Sequence, residues 1–521
     1  MHARIEQLEY LEMLDPILVE HRAFGDSTYI HEQLRNCYER RLGKLSACMS
    51  VTGQLLDALI GSDIYTRRRV VGDTVVRCAI DHALAQGNTG VRRGLPFAEC
   101  EEVFGATVQH LNDGKCGGPL EHGIEHVYRL GPAAYHGWIW SEQHCADACG
   151  RAFRRLIRDN HKEPLHTPNV DDVQMLEKGA QLLSELLPCL SRSALSHAHL
   201  IALFPQVGKW KGTTSSSQFR IGGTIFLSCE MIDSPWWVAE HLLHESLHQK
   251  LYDVRHGHSV FVEELQLSGE TAKRVCSPWN APGPNKANYW DTFRSVAAFH
   301  VYVQLGLLCS VAERRAHELK GTYGPIRAMT TSRTAMDRAH YLGEQIKQHC
   351  WQELGVAGRS LMEWLLAVLD ILDPAPPPRG AYMHLLLDRY QREAAMVAKK
   401  IERAVGTDQS GVTRPVGLSS ALREQLIALI DEEVNGTCSV LSAVKAGSDI
   451  WQFKDAVTRC MGKGADIGFR DVRGLIARTI QKVSPDGYRL TSRSPGLQTP
   501  DEIFKQMVEN SSQRVHGILA Q

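Results

Sequence analysis

The chain lacks an excess of either charge: 58 Lys and Arg stand against 59 Asp and Glu, a net charge of -1 over 521 residues. No global field argues for a nucleic-acid or anionic-membrane partner, and neither is expected. A long unbroken apolar run is also missing. The most apolar stretch, 296–312, contains His300 and Gln304 and is shorter than a bilayer requires. The first 24 residues carry Glu6, Glu9, Glu12 and Asp15, which is not the make-up of a secretory signal. The 14 Cys are scattered without the close spacing of a disulfide scaffold, so reduced thiols in a soluble, cytoplasmic protein are expected. There is no internal repeat or long low-complexity tract.

So long a chain exceeds a single hydrophobic core. A helical and His/Gly-rich region over 1–166, a catalytic core over 167–373 and a helical region over 379–521 are expected. The last two are parted by Asp373-Pro374-Ala375-Pro376-Pro377-Pro378, which stops helix growth. Periodicity predicts helices over 4–21, 29–60, 73–85, 171–190, 236–253, 259–270, 288–320, 332–354 and 358–372, and beyond the prolines over 381–405, 419–434 and 467–482. Strands are expected at 199–204 and 223–228, with a polar loop at 212–217 between them. The fold class is therefore mainly α with a small β-sheet, a zincin-like metal helix lying beside an edge strand within a large helical protein. The free edge would suit an extended peptide.

What the chain does have is His244-Glu245-Ser246-Leu247-His248, an H-E-x-x-H pattern in a segment of helical composition. Histidines four apart lie on one helical face, so both imidazoles can reach one first-row metal ion. With 24 His in the chain the pattern can also arise by chance, leaving two ordinary histidines on an amphipathic helix.

Two chemistries use such a pair. In a zinc hydrolase the histidines bind Zn2+ and Glu245 is the general base on the metal-bound water. Leu251 and Val254 stand where the metzincin extension needs Gly and His, which excludes that class. Glu270 is a loose match to a thermolysin-like third ligand, with Asp253, Glu263 and Glu264 weaker. An iron oxygenase places Fe(II) on three protein ligands and leaves positions for 2-oxoglutarate and O2. It also needs a fixed cation for the distal carboxylate. His300, in an apolar helical run, is either a ligand or a satisfied core histidine. Arg294 is either a carboxylate clamp or a surface ion-pair partner.

Three other constellations compete. His122-Gly123-Ile124-Glu125-His126 reads as an inverted zincin pattern, weakened by Gly123. His144, Cys145 and Cys149, in the run 144–149, could form a structural zinc site but lack a second matching pair. Arg151, Arg154, Arg155 and Arg158 make a basic helix face, either solvated or able to dock an acidic leader peptide or nucleic acid.

The order of elements resembles the HExxH-motif proteins of peptide natural-product clusters, which are 2-oxoglutarate- and iron-dependent peptide β-hydroxylases. The resemblance covers about 171–372. It is carried by the Ser-rich segment Thr213–Ser217, Ile225-Phe226-Leu227-Ser228, the H-E-x-x-H run, Ser277-Pro278-Trp279, the helix bearing Arg294 and His300, Arg338-Ala339-His340, and Gly358-Arg359-Ser360. Asn280 departs from the Arg that often follows Ser-Pro-Trp in that family. The resemblance implies Fe(II) on His244, His248 and a third histidine, His300. It further implies Arg294 on 2-oxoglutarate, Ser215 and Ser217 in cosubstrate or peptide contact, and a peptide or carrier-bound amino acid as substrate. Glu245 has no assigned role in this scheme.

Overall fold

The computed structural model describes residues 2–89, 94–122, 127–130, 137–142, 147–262, 274–277, 279–280, 289–374 and 376. These are mainly helical. In chain order the helices are α1 (His2–Glu20), α2 (Ser27–Leu45), α3 (Ser50–Gly61), α4 (Ile64–Gly72), α5 (Thr74–Thr89), α6 (Phe97–Asn112), α7 (Pro119–His122), α8 (Ala148–His161), α9 (Val170–Leu186), α10 (Pro188–Leu195), α11 (Pro235–Gly257), α12 (Thr292–Tyr323), α13 (Ser332–His349) and α14 (Val356–Leu372). The strands are β1 (Tyr128–Arg129), β2 (Trp138–Ile139), β3 (Leu200–Phe204), β4 (Ser215–Ser217), β5 (Thr224–Ser228), β6 (Val275–Cys276) and β7 (Tyr289–Trp290).

Local chemistry explains most of the boundaries. Asp26 and Asp63 cap α2 and α4 by accepting from the first free amides, and Asn169 and Asp172 form a capping box on α9. The helix expected over 171–190 breaks at Leu187, at φ -138° and ψ 77°, because Pro188 keeps its predecessor out of the helical region. The helix expected over 29–60 divides at Met49, which is extended and makes no side-chain cap. No Gly or Pro marks that break. The helix expected over 259–270 does not begin at Ser259: Phe261 bridges Leu354 in antiparallel fashion, and the remainder lies outside the described residues. The helices expected beyond the prolines also lie outside them.

The chain divides into two compact units. One comprises Met1–Thr271, Phe293–Ala339 and Ile346–Leu372. It holds a five-stranded sheet in the order β1-β2-β3-β5-β4, with β2, β3 and β5 parallel and β1 and β4 antiparallel at the two edges. Every residue of β3 and β5 is buried, as expected of parallel strands covered on both faces. Segment 212–217, expected as a loop, supplies edge strand β4, with Ser215 opposite Leu227 and Ser217 opposite Ile225. The strand expected at 223–228 is thus an interior one.

Helix α11 packs on α9, α2, α10 and the β4–β5 pair. A Cβ on Gly179 of α9 would fall 2.2 Å from Val238 Cγ1, so the absence of a side chain there sets how closely the two helices approach. Helix α12 has 32 residues, long enough to span a membrane, but 89% of its most apolar window is buried inside the protein. Its apolar surface serves the core, which fits a soluble protein.

The other unit comprises Ala272–Thr292, His340–Gln345 and Asp373–Gln521. Among its described residues β6 pairs with β7, and Trp279 packs edge-on against Trp290 and Tyr341. Tyr341 donates to the Cys276 carbonyl at 2.6 Å, and His340 bonds Asp373 at 3.0 Å.

Candidate functional site

Helix α11 begins with Pro235 at its first turn and runs 23 residues, long enough to carry both histidines of the motif well inside it. The His244 and His248 rings lie 5.0 Å apart between centroids, edge to face. Both are half-buried, while His300 on α12 is 2% exposed. Burial lowers all three imidazoles. It takes His244 to about 4, with Glu240 opposing and Arg338 adding to the effect, and His300 to about 3, with Lys250 adding. His248 is held well below its ordinary value by burial first, then by His244, His300 and Arg294. All three are therefore neutral near pH 7, the form that ligates metal.

Glu245 is 3% exposed, and its Oε1 accepts from Ser215 Oγ at 2.5 Å. His244 Nε2 lies 3.9 Å from the same oxygen. Burial raises the Glu245 carboxyl, opposed by the hydroxyls of Ser215 and Ser217 and by His241. Ser217 Oγ is close enough to act on both Glu245 and Tyr252, although its geometry falls short of a full hydrogen bond to any described group. Ser215 and Ser217, expected to contact cosubstrate, thus share the face of β4 turned toward Glu245.

Arg294, in the first turn of α12, is exposed. Arg338 on α13 is half-buried, donates to Tyr302 Oη at 3.1 Å and lies 5.3 Å from the centre of that ring. The two guanidiniums bear on the imidazole pair from different elements, Arg338 on His244 and Arg294 on His248.

The donor set fits a metal ion in part. Glu245 Oε2, His248 Nδ1 and His300 Nδ1 are buried and have no hydrogen-bond partner among the described residues, a state that a bound ion and its waters would relieve. His244 and His248 are the residues that would hold it. Among the described residues, however, the three-donor group that closes to within 4.8 Å is another one, His31, His197 and Asp253, all buried. Sequence reasoning placed Asp253 among the weaker third ligands and missed the two histidines. Asp253 is instead engaged by Arg77 at 2.6 Å and by His197 Nδ1 at 2.6 Å. Donor spacing alone would suit a metal there. But the His31 and His197 rings stack 4.1 Å apart at 20°, and an ion about 2.0–2.1 Å from a ring nitrogen sits in that ring's plane. Stacked rings cannot both meet that condition without rearranging.

Two of the rival constellations lie partly outside the described residues. Asp147 caps α8 by accepting from Gly150 N, and Cys149 is buried, while His144 and Cys145 lie outside the described residues, as do Glu125, His126, Glu263, Glu264 and Glu270. The arginine face of α8 is largely neutralised: Arg151 pairs with Glu102 at 2.9 Å, Arg154 with Glu142 at 2.7 Å, and Arg155 with Glu99. No model of a known protein family matches the chain, and no curated protein is similar enough to match it.

Proposed function

We propose that the chain is a 2-oxoglutarate-dependent, non-haem iron oxygenase that hydroxylates the β-carbon of a residue in a peptide or a carrier-bound amino acid. His244 and His248 hold Fe(II), with His300 as third ligand. The observation that carries this reading is the pair of arginines beside the imidazoles. A dianionic cosubstrate entering a protein interior needs charge-assisted partners, and Arg338, braced by Tyr302, together with Arg294 supplies them. A zinc peptidase takes no dianionic cosubstrate. Bound iron would supply oxidative decarboxylation of the keto acid and hydrogen abstraction. The residues' own work is to present neutral imidazoles, to neutralise the cosubstrate's charge and to hold Glu245 against β4.

Zinc peptide hydrolysis is the second reading. It is favoured by the unpartnered Oε2 of Glu245, available as a base, and by edge strand β4, along which an extended peptide could pair. One experiment separates the two: anaerobic reconstitution with Fe(II) or Zn2+, followed by assay of succinate release from 2-oxoglutarate in air and of peptide cleavage. Succinate formation that requires Fe(II) and O2 is expected. A protein inert with iron that cleaves peptides with zinc would sink the oxygenase assignment.

A further inference from the structure

Two stripes run side by side along α11. Trp237 stacks on His241 with centroids 4.0 Å apart, His248 stacks on Tyr252 at 6.3 Å, and His244 stands between these pairs. One residue further round, Glu245, Gln249 and Asp253 recur every four residues, and each is anchored to a different element. Glu245 takes Ser215 of β4. Gln249 accepts from Gly223 N and donates to the Thr224 carbonyl, both at 2.8 Å. Asp253 takes Arg77 of α5 and His197, which precedes β3. Residues four apart share a helical face, so three anchors on one stripe fix the rotation of α11 about its axis. The same rotation aims the neighbouring imidazoles.

The Asp253 anchor is fully buried. Its side chain and that of His197 are 0% exposed, and that of Arg77 is 2% exposed. Because His197 Nδ1 donates to Asp253, Nε2 is left as acceptor for Ser27 Oγ at 3.1 Å. Ser27 bonds Ser193 Oγ at 2.7 Å, and Lys250 donates to that same oxygen at 2.8 Å. The bonded chain therefore leaves α11 at Asp253, passes through α2 and α10, and returns to α11 at Lys250. Ser27, His197 and Asp253 are ordered like a nucleophile, base and orienting acid. However, the base is buried, and the Thr28 and Tyr29 amides that could stabilise an oxyanion already donate to Asp26. The arrangement suits a lock.

We propose that Arg77, His197 and Asp253 are positioning residues that set the rotation of α11 and thereby fix where the His244 and His248 imidazoles point relative to the groups that other elements contribute around a metal ion. This rests on the metal assignment above. Groups hydrogen-bonded directly to a metal ligand typically account for about 10–100-fold in metal affinity; these three act one step further back, through the backbone of α11, so the lower end of that range is expected. The test is Zn2+ affinity of the full chain, measured by competition with a chromophoric chelator, beside thermal melts. His197→Leu removes the link to Asp253 but leaves the Arg77 pair, whereas His197→Asn places an amide N–H near the position of Nδ1–H. His197→Leu is expected to weaken Zn2+ binding about tenfold or more while His197→Asn stays within about threefold, both still melting cooperatively. Unchanged affinity in His197→Leu, or equal losses in both variants, would overturn the proposal. If His197→Leu does not fold, Arg77→Met combined with Asp253→Asn removes both buried charges together and carries the same tenfold expectation. His244→Ala, measured in parallel, tests the metal assignment by itself: undiminished Zn2+ binding there would refute that assignment whatever the His197 variants do.

Discussion

Ser215 Oγ donates to Glu245 Oε1 across 2.5 Å, tying the edge strand of the sheet to the motif glutamate of α11. In a hydrolase that glutamate is the base. Here one of its oxygens is already committed, and it doubles as the first of three anchors on the helix.

Glu245→Gln therefore discriminates between the chemistries. The amide keeps an oxygen to accept from Ser215 but cannot take a proton. Iron-dependent succinate release should persist within about tenfold of wild type, whereas peptide hydrolysis would fall by about 10^2-fold or more. A complete loss of succinate release with metal still bound would contradict the anchoring role.

Metal binding should follow the imidazoles unequally. His244→Ala and His248→Ala are each expected to reduce Fe(II) occupancy to below one-tenth, as read by metal analysis after anaerobic desalting. His300→Ala should lower occupancy as well, and unchanged occupancy would remove His300 from the ligand set.

Stability should rise with pH between about 4 and 6.5. Burial holds His300 at about 3 and His161 at about 4, and holds His31, His197, His199, His248 and His256 well below 6.5. In this window the unfolded chain binds protons at these sites that the folded chain does not, so stability is lost as pH falls from the unfolded value. The carboxyls of Asp15, Asp73 and Glu245, raised by burial, act in the opposite sense but are fewer. Denaturant titrations at pH 4.5, 5.5 and 6.5 should show the midpoint climbing. A flat or falling midpoint would mean that these histidines are not buried as neutral groups.

Gly179→Ala should destabilise the protein by about 1–3 kcal/mol, because its Cβ would fall 2.2 Å from Val238 Cγ1 and force α9 away from α11. Thermal melting measures the loss. An accompanying drop in metal affinity is expected, since α11 would shift with its neighbour.

Much of this arrangement was legible one element at a time. The motif helix was evident from the composition of 236–253, and β3 and β5 from short apolar runs. The edge strand was not: Ser215, Ser216 and Ser217 have the composition of a loop, and they are extended because β5 offers them a ladder. The four-residue recurrence of Glu245, Gln249 and Asp253 was visible in the sequence and marks the anchoring face of α11. Its partners were not, because Arg77, His197 and Ser215 are distant along the chain.

The sequence alone determined that two imidazoles four residues apart would share one face of a helix, because a 3.6-residue turn leaves no other outcome. Tertiary structure decided where that face points and what stands around it. It placed His300 in the core and Arg294 at the surface, brought Arg338 to bear on His244, and closed His197 and Arg77 on Asp253. Spacing along a helix is fixed by backbone geometry, but rotation and company depend on which distant groups can satisfy a buried charge.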